Sequence, residues 1–546
     1  MYKILFIAYI SIALLIAAGC KGQNEQSTAV TSTTIQRTAV FRDTSVNSSN
    51  AFNDIFLDST ELARFVTEQK LNDTLSAAIH SFYNARNYEY AWFTSTGLIE
   101  QSFSFHSLYC TENNCDLFNK SLENRLDRLR IGEDSTIVID PKDPSTIMTE
   151  LQITTRFLQY SLDEYKNKGI SPADLGTNIP AKKNTILALA DSLLADNNVN
   201  RNYASLNEAY RLLQEPLKQY LGIEKNGGWN TVVADKKTYK MGTMGSEIVA
   251  IKKRLHTTGE LAEPDTTALF NNGLENAVKS FQETHGYKPT GIVTASLVKE
   301  MNVPVLARIQ QLLINMQRMR WMPVRLDGKL IIVNIPEFEL YVDSGRTTLF
   351  QMDVVVGAEG HNTTMFSGNL NEIVFSPYWN IPPSIVKKEV LPGLKRDKNY
   401  LTKRDMEITG QEGGLPVVRQ SPGPKNALGK VKFLFPNSFD IYMHDTPEKG
   451  FFKRDERDLS HGCIRLSDPV KMANYLLQNS KLWTPEKIDS AMNCGVEQCV
   501  KLKNTIPVII TYYTAWVDEK GTLRFADDIY GHDKKMALKM FTNPQL

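Results

Sequence analysis

A cysteine and a histidine in the C-terminal third of the chain have the types and spacing for nucleophilic catalysis. Cys463 stands in LSHGCIRLSDP, residues 459–469, and His444 ends the apolar run FDIYMH. If both ends of the charged loop between them meet at one edge of a sheet, the His444 imidazole comes within hydrogen-bonding reach of the Cys463 sulfur. A free thiol, with a pKa of about 8.5, is only slightly ionised at neutral pH, and a neighbouring imidazole raises the thiolate fraction. The pair therefore predicts attack on an acyl carbonyl, although either residue alone could be structural.

The residues around Cys463 suit the same chemistry. Gly462 permits a tight turn, so that the N–H groups of Gly462 and Cys463 can hold the negative charge of a tetrahedral intermediate. Removing one such donor typically costs a factor of ~100 to 1,000 in rate. His461 is expected either to lie beside this oxyanion hole or to orient the loop that forms it. Asp468 and Pro469 have the types of an N-cap and a first helical residue, and that helix would fix the strand of Cys463 from behind.

The N-terminus, MYKILFIAYISIALLIAAGCKG, has the pattern of an export signal over residues 1–20 that is too short to span a bilayer comfortably. Small residues ending at Cys20 resemble a bacterial lipobox, in which the thiol takes a diacylglycerol, although Ala17 stands where leucine is preferred. An ordinary signal peptide with Cys20 as a bystander is the alternative. Residues 21–50 are rich in Ser, Thr and Asn and predict a flexible linker. Lys21 does not look like an inner-membrane retention signal, so we expect a periplasmic protein with a lipid anchor in the outer membrane, and the inner membrane is the alternative.

Export to an oxidising compartment allows the remaining cysteines to be sorted. Cys110 with Cys115 and Cys494 with Cys499 are local C-x4-C pairs. Disulfides 110–115 and 494–499 are the simplest pairing, and zinc binding is the competing interpretation. Such a pairing, with Cys20 carrying lipid, leaves Cys463 as a free thiol.

Hydrophobic periodicity indicates a multidomain α+β chain. Residues 51–235 carry apolar side chains at helical spacing and predict an all-helical scaffold. Residues 240–303 predict three short helices, the third begun by Thr294, and residues 304–325 an amphipathic connecting helix. Residues 326–546 turn to short alternating strands and predict a mostly-β domain. A Pro- and Gly-rich stretch at about 383–428 interrupts these strands and is expected to form a capping insertion.

Part of the second unit resembles a known module. Its Gly-x-x-Gly at 242–245, Ala-Val-x-x-Phe-Gln at 277–282 and Thr-Gly-x-x-Thr at 290–294 are similar to the three-helix peptidoglycan-binding domain of cell-wall enzymes. GYKPTG lacks the usual Asp before Gly291, and a generic helical bundle is the alternative.

His444 followed at a distance by Ser460-His461-Gly462-Cys463 closely resembles the signature of the YkuD-type L,D-transpeptidases. Stretches such as SPYWNIPPSIVKKEVLP and IYMHDTP are similar to the large subclass with a helical scaffold, a peptidoglycan-binding domain and a capped catalytic domain. This resemblance implies a β-sandwich-like catalytic fold, with Cys463 as nucleophile and His444 as base. It also implies that the backbone carbonyl of Asp445 orients His444.

Five residues are candidates for substrate contact. Arg465 follows Cys463 by two residues, so on a strand it points to the same side and could pair with a stem-peptide carboxylate; an exposed surface arginine is the alternative. Tyr442 has the same parity relative to His444. Ser460, Trp379 and Asn426 are further candidates, and Trp379 equally suits a core position.

The resemblance implies two half-reactions that need no metal or organic cofactor. Cys463 attacks the third residue of a donor tetrapeptide stem and expels the terminal D-alanine, and a side-chain amine of a neighbouring stem then attacks the thioester, giving a 3→3 cross-link. It also implies acylation by carbapenems. An L,D-carboxypeptidase, a protein-to-peptidoglycan attachment enzyme and a non-catalytic tethering lipoprotein remain alternatives. The net charge of +1 argues against nucleic acid as a partner.

Overall fold

A computed structural model describes residues 41–113, 138–165, 176, 178–197, 200–201, 204–205, 207–321, 328–345, 347–437 and 439–545. The predicted export signal, Cys20 and Cys115 lie outside these residues, and Cys110 lies on a helix without a described side chain. Among the described residues, no helix is long and apolar enough to cross a membrane. Residues 41–50, predicted as linker, are instead packed on the helical part, because Val46 is buried and the Asp43 N–H donates to the Asn84 carbonyl at 2.8 Å.

The N-terminal part is a bundle of helices that begin at side-chain caps. Asp58, Asn72, Thr185 and Asn207 each accept a hydrogen bond from a first-turn N–H that no helical carbonyl reaches. Its described helices are α1 (Ser59–Glu68), α2 (Asp73–Asn84), α3 (Glu100–Asn113), α4 (Pro144–Tyr165), α5 (Ile186–Leu194) and α6 (Glu208–Lys225). A short hairpin, β1 (Phe93–Thr94) and β2 (Gly97–Leu98), lies among them, so this part is mostly but not entirely helical.

The second unit has its own apolar core. Its elements are β3 (Thr238–Tyr239), α7 (Ser246–Thr258), α8 (Asn272–Thr284), β4 (Val293–Thr294) and α9 (Ala295–Met301). The Thr294 hydroxyl accepts from the Leu297 N–H at 3.3 Å, which confirms that this residue begins the third helix. Ile251, Val278 and Phe281 are fully buried between the helices.

The C-terminal part is built on a sheet of nine strands. In chain order the strands of this part are β5 (Lys329–Asn334), β6 (Glu339–Ser344), β7 (Thr347–Gly357), β8 (Ser367–Phe375), β9 (Trp379–Asn380), β10 (Met406–Glu412), β11 (Leu415–Gln420), β12 (Val431–Leu434), β13 (Met443–His444), β14 (Asp458–Ser460), β15 (Ile464–Leu466) and β16 (Gln498–Thr511). The order in the large sheet is β14-β7-β15-β13-β12-β8-β16-β5-β6, and β6 also pairs with β7. The strand ladder therefore closes on itself around an apolar core.

The cap is a small folded unit inserted between β8 and β12. It holds a three-stranded sheet of order β10-β11-β9 and a continuous helical segment of α11 (Pro383–Ile385), a π-helical turn (Val386–Val390) and α12 (Leu391–Arg396). Ile381, Ile385, Val386, Val390 and Val418 form its own buried core. The cap is thus able to hold its shape at the rim of the large sheet.

Two helices follow the strand after Cys463, and the chain end returns to the helical part. Asp468 caps α13 (Pro469–Leu477), as predicted, and α14 (Pro485–Asn493) follows. The last elements are β17 (Ala515–Val517), β18 (Leu523–Phe525) and α15 (His532–Met540). Helix α10 (Val305–Met319) is buried between these last elements and the N-terminal bundle. Its Arg318 pairs with both Glu100 and Asp533. The predicted connecting helix is therefore a central element of the core.

Candidate active site

The turn between β14 and β15 presents Cys463 at the edge of the closed sheet. Gly462 has a φ of 110°, a conformation that side chains disfavour, so glycine is required at this position. The buried Ser460 hydroxyl accepts a hydrogen bond from the Gly462 N–H at 3.1 Å and donates to the Cys463 carbonyl at 2.6 Å. Ser460, predicted to contact substrate, instead lies beneath the turn and fixes its shape.

The N–H groups of the turn differ from the prediction. The Gly462 N–H is already engaged by Ser460, so it does not point freely toward an incoming carbonyl. Within the described residues, the Cys463 N–H has no acceptor. The described geometry therefore leaves the Cys463 N–H, rather than that of Gly462, available to hold an oxyanion.

Residues that the sequence analysis did not select hold the turn from the other side. The Thr363 hydroxyl donates to the Gly462 carbonyl at 2.8 Å and accepts from the Gly357 N–H at 2.9 Å. The Tyr530 hydroxyl donates to the Gly357 carbonyl at 2.5 Å. Contacts between segments so far apart in the chain leave no local pattern by which they could have been found.

His444 is buried on β13, next to strand β15, which begins directly after Cys463. Its Nδ1 lies 2.5 Å from the Asp445 carbonyl oxygen, which matches the role that the family resemblance implied for Asp445. A carbonyl oxygen only accepts, so Nδ1 carries the hydrogen and Nε2 is left as the proton acceptor. The Asp445 side chain accepts from the Lys430 N–H at 2.9 Å and pairs with Lys449 Nζ at 2.8 Å. Asp445 therefore holds the imidazole from a fixed backbone position.

Strands β13 and β15 run in parallel, with His444 level with Arg465 and Met443 level with Ile464. This register places Cys463 level with Tyr442, two residues along from the level of His444. The resting thiol lies 3.7 Å from the Asp440 carbonyl, and among the described residues there is no hydrogen bond between Cys463 and His444. The thiol must therefore rotate away from Asp440 before it can transfer its proton to the imidazole.

The charge states of this pair also differ from the prediction. Burial raises the pKa of the Cys463 thiol to about 11, while hydrogen bonds from Tyr442 and the charge of Arg465 act in the opposite direction. Burial, followed by the charge of Arg465, lowers the pKa of His444 to about 4. Both residues are neutral near pH 7, so the imidazole does not generate a standing thiolate. The pair is suited to general-base catalysis, in which the proton moves as the sulfur attacks.

Arg465 and Tyr442 both lie close enough to Cys463 to act on the pKa of its thiol, in agreement with their parity in the sequence. Arg465 is half-buried over the Phe451 ring, 5.3 Å from its centroid, and its buried Nε has no partner among the described residues. An unpartnered guanidinium N–H beside the thiol is suited to a carboxylate. The Tyr442 ring centroid lies 5.7 Å from that of His444, and the neighbouring Cys463 contributes, after burial, to raising the pKa of its hydroxyl.

Two further candidates lie at the root of the cap. Trp379, on β9, packs against the cap core, and its side chain lies close enough to Tyr442 to act on the pKa of that hydroxyl, so it connects the cap to the site. Asn426 is buried; its amide donates to the Pro377 carbonyl at 2.9 Å and its oxygen accepts from the Leu428 N–H at 2.8 Å. The predicted substrate contact of Asn426 is not supported, because its polar atoms already fasten the end of the cap.

His461 is half-exposed and points to the cap. Its Nε2 lies 3.2 Å from Oε1 of Glu389, in the π-helical turn, and its ring centroid is 5.3 Å from that of His361. Glu389 and His361 are not among the residues that the sequence predicted for the site. Their partner belongs to a distant segment, so spacing along the chain holds no signal for either contact.

Cys494 and Cys499 are both free thiols, so the predicted 494–499 disulfide is wrong for this structure. The Cys494 sulfur is turned into the end of α14, 3.3 Å from the Ala491 carbonyl and 3.3 Å from the Val496 carbonyl. Cys499 is held in β16 opposite Val374. The predicted 110–115 disulfide lies outside what the structure describes. Among the described residues, no group of three or more His, Cys, Asp or Glu side chains is placed to hold a metal.

Family comparisons divide the chain in the same order as the fold. Residues 328–510 match "L,D-transpeptidase catalytic domain" of the YkuD family, residues 77–217 match "Scaffold domain", and residues 244–301 match "Putative peptidoglycan binding domain". A Haemophilus influenzae protein named "Putative L,D-transpeptidase" is 31% identical over 292 residues, which is 50% of this chain and 58% of that protein. The chain thus spans little more than half the length of this relative.

Solved structures named as L,D-transpeptidases also align with the chain. One from Stackebrandtia nassauensis is 13% identical, with 51% of this chain and 97% of that chain covered and a TM-score of 0.21. One from Xylanimonas cellulosilytica is also 13% identical, covering 51% of this chain and 100% of that chain with a TM-score of 0.17. Neither overall superposition is close enough to carry an argument about the site.

Proposed function

We infer the function of this chain from the premise that it carries a YkuD-type L,D-transpeptidase catalytic domain, together with a peptidoglycan-binding domain and a scaffold domain. We propose that it joins peptidoglycan stem peptides through a thioester on Cys463. The observation that carries the proposal is a free Cys463 thiol on a glycine turn near the buried His444 imidazole. His444 Nδ1 is held by the Asp445 carbonyl, so Nε2 is the nitrogen that could accept the thiol proton.

In the first half-reaction, the Cys463 sulfur attacks the carbonyl of the third residue of a donor tetrapeptide stem. His444 Nε2 takes the thiol proton as the C–S bond forms, and then gives it to the amine of the departing D-alanine. The Cys463 N–H holds the developing oxyanion, and Arg465 pairs with a carboxylate of the stem. Trp379 packs against the cap core and Tyr442 lies beside the thiol, so the bound stem would contact them on the side of the cap.

In the second half-reaction, a side-chain amine of a neighbouring stem attacks the thioester and gives a 3→3 cross-link. Attack by water would instead give an L,D-carboxypeptidase, and attack by an amine of a protein would give an attachment enzyme. Carbapenems are expected to acylate Cys463 as substrate analogues. The peptidoglycan-binding domain would hold the enzyme on its polymeric substrate.

We also propose that the protein is exported and anchored to the outer membrane through lipid on Cys20. The support is the sequence pattern of residues 1–20. Metabolic labelling with a clickable fatty acid, on the wild type beside Cys20→Ser, tests the anchor. Absence of label on the wild type would refute it.

Incubation of the protein with disaccharide-tetrapeptide, followed by mass spectrometry of the products, tests the activity. The proposal predicts a cross-linked dimer that has lost one D-alanine and that disappears with Cys463→Ala. Tripeptide alone would favour the carboxypeptidase. No product, from a folded protein that still binds peptidoglycan, would refute catalysis and favour a tether.

A further inference from the structure

A carboxylate on the cap lies against the turn that carries the nucleophile. Glu389 Oε1 is 3.2 Å from His461 Nε2, and the side chains of Glu389 and His461 are 51% and 48% exposed. Val386 and Val390 are buried in the cap core on either side of Glu389, so the backbone position of this residue is fixed. The pair is therefore held in place and still accessible to a substrate.

The pair has the arrangement of a proton-accepting dyad. His461 Nε2 lies 3.2 Å from a carboxylate oxygen, and this neighbour favours the tautomer with the hydrogen on Nε2 and Nδ1 as the acceptor nitrogen. His461 precedes Cys463 by two residues, so their Cα atoms are at most ~7 Å apart. The site thus offers two imidazoles, the buried His444 and the half-exposed His461, near one thiol.

The two half-reactions proposed above place different demands on these groups. The first must deprotonate a thiol, for which His444 is placed. The second needs a primary amine that, with a pKa of ~10, is an ammonium ion in water at neutral pH and cannot attack until it loses a proton. Arg465, two residues after the nucleophile, repels such a cation. Glu389, on the side of the cap, attracts it.

We propose that Glu389 and His461 form the acceptor site, which binds the ammonium group of the incoming stem and removes one of its protons. This inference rests on the proposed function. His461 Nδ1 takes the proton, and the resulting imidazolium is held by the Glu389 carboxylate before it passes the proton to solvent.

The remaining steps balance without another reactant. The free amine forms a C–N bond with the thioester carbonyl, and His444 takes the second proton from the nitrogen of the tetrahedral intermediate. The C–S bond then breaks, and the Cys463 sulfur receives that proton. The products are an amide, a thiol and one proton in solvent.

The acceptor site determines the choice between an amine and water. Water carries no charge, so hydrolysis of the thioester gains nothing from Glu389. Removing the carboxylate should therefore lower cross-linking more than hydrolysis. The effect should also depend on salt, because the Debye length falls from ~30 Å at about 0.01 M to ~3 Å at about 1 M ionic strength.

Glu389→Gln in the full chain tests this, with Glu412→Gln as the matched control. Glu412 is an exposed glutamate at the end of β10 in the cap, and among the described residues it forms no ion pair with His461. With disaccharide-tetrapeptide, we expect Glu389→Gln to lower the ratio of dimer to tripeptide about five-fold, the size of effect expected of a half-exposed charge. Glu412→Gln should keep the wild-type ratio, and Glu389→Asp should restore part of it.

Hydroxylamine is uncharged at neutral pH, so as an acceptor it should not be attracted by the Glu389 carboxylate. It therefore distinguishes loss of the Glu389 charge from a structural disturbance of the site by the substitution. Its capture of the thioester should not discriminate between the wild type and Glu389→Gln. First-turnover release of D-alanine is read separately. If D-alanine release is intact, an unchanged dimer-to-tripeptide ratio in Glu389→Gln would overturn the acceptor site alone. The same holds if Glu389→Gln lowers capture by hydroxylamine as much as it lowers cross-linking. No release from the wild type would overturn the proposed function and the acceptor site with it.

Discussion

The neutral state of the nucleophile can be tested by its rate of alkylation. Burial raises the pKa of the Cys463 thiol to about 11, against about 8.5 for a free thiol. At pH 7.5 the thiolate fraction is then roughly 300-fold lower. A more basic thiolate is also a better nucleophile, and a Brønsted slope of about 0.4 to 0.5 recovers roughly 13-fold of this loss. We therefore expect Cys463 to react with iodoacetamide roughly 20-fold more slowly than an ordinary exposed thiol.

The assay is peptide mass spectrometry of the folded protein, quenched at intervals between about pH 6 and pH 10. Cys494 serves as an internal standard, because it is exposed and hydrogen bonds, chiefly from the Val496 backbone, lower the pKa of its thiol. The rate at Cys463 should rise about ten-fold for each pH step of one across this range. A plateau that begins below pH 8, or a rate at pH 7 that matches Cys494, would refute the neutral pair and indicate a standing thiolate–imidazolium pair.

Three further predictions concern the base and the turn. In the proposed reaction His444 acts in its neutral form, and burial lowers its pKa to about 4, so first-turnover release of D-alanine should be flat from about pH 5 to 9 and fall in more acidic buffer; a midpoint near pH 7 would contradict this. Ser460→Ala leaves two buried backbone groups without their partner and should cost ~1–3 kcal/mol in urea unfolding, while Ser460→Thr should keep most of this stability. Gly462→Ala forces a side chain into a φ of 110° and should lower kcat by at least ~10-fold, whereas Gly410→Ala, with no atom within 4 Å of the added Cβ, should keep wild-type kcat; equal rates for both would contradict the account of the turn.

The parts of the fold that the sequence predicted are those with local signals. Asp468 was predicted as an N-cap and Thr294 as the start of a helix because such starts are defined by the few residues that follow them. Arg465 and Tyr442 were placed on the face of the nucleophile by the alternation of a strand. The change from helical to alternating periodicity near residue 326 likewise predicted the mostly-β part of the chain.

The remaining features depend on contacts between distant segments. Closure of the strand ladder requires β6 to pair with β7 as well as β5, and no local pattern specifies a second partner. Ser460 and Asn426 have types that suit substrate binding, and their use inside the protein follows from neighbours such as the Cys463 and Pro377 carbonyls. The raised pKa of Cys463 arises from burial, which no spacing between cysteine and histidine reveals.

The central claim is that Cys463 carries the donor stem as a thioester, and intact-protein mass spectrometry after rapid quenching tests it most directly. The wild type mixed with disaccharide-tetrapeptide should gain the mass of the donor less D-alanine. Peptide mapping should place the adduct on Cys463, and hydroxylamine should remove it. Cys463→Ala should show no adduct and no release of D-alanine. Release of D-alanine by Cys463→Ala at the wild-type rate, or an adduct on another residue, would contradict the account.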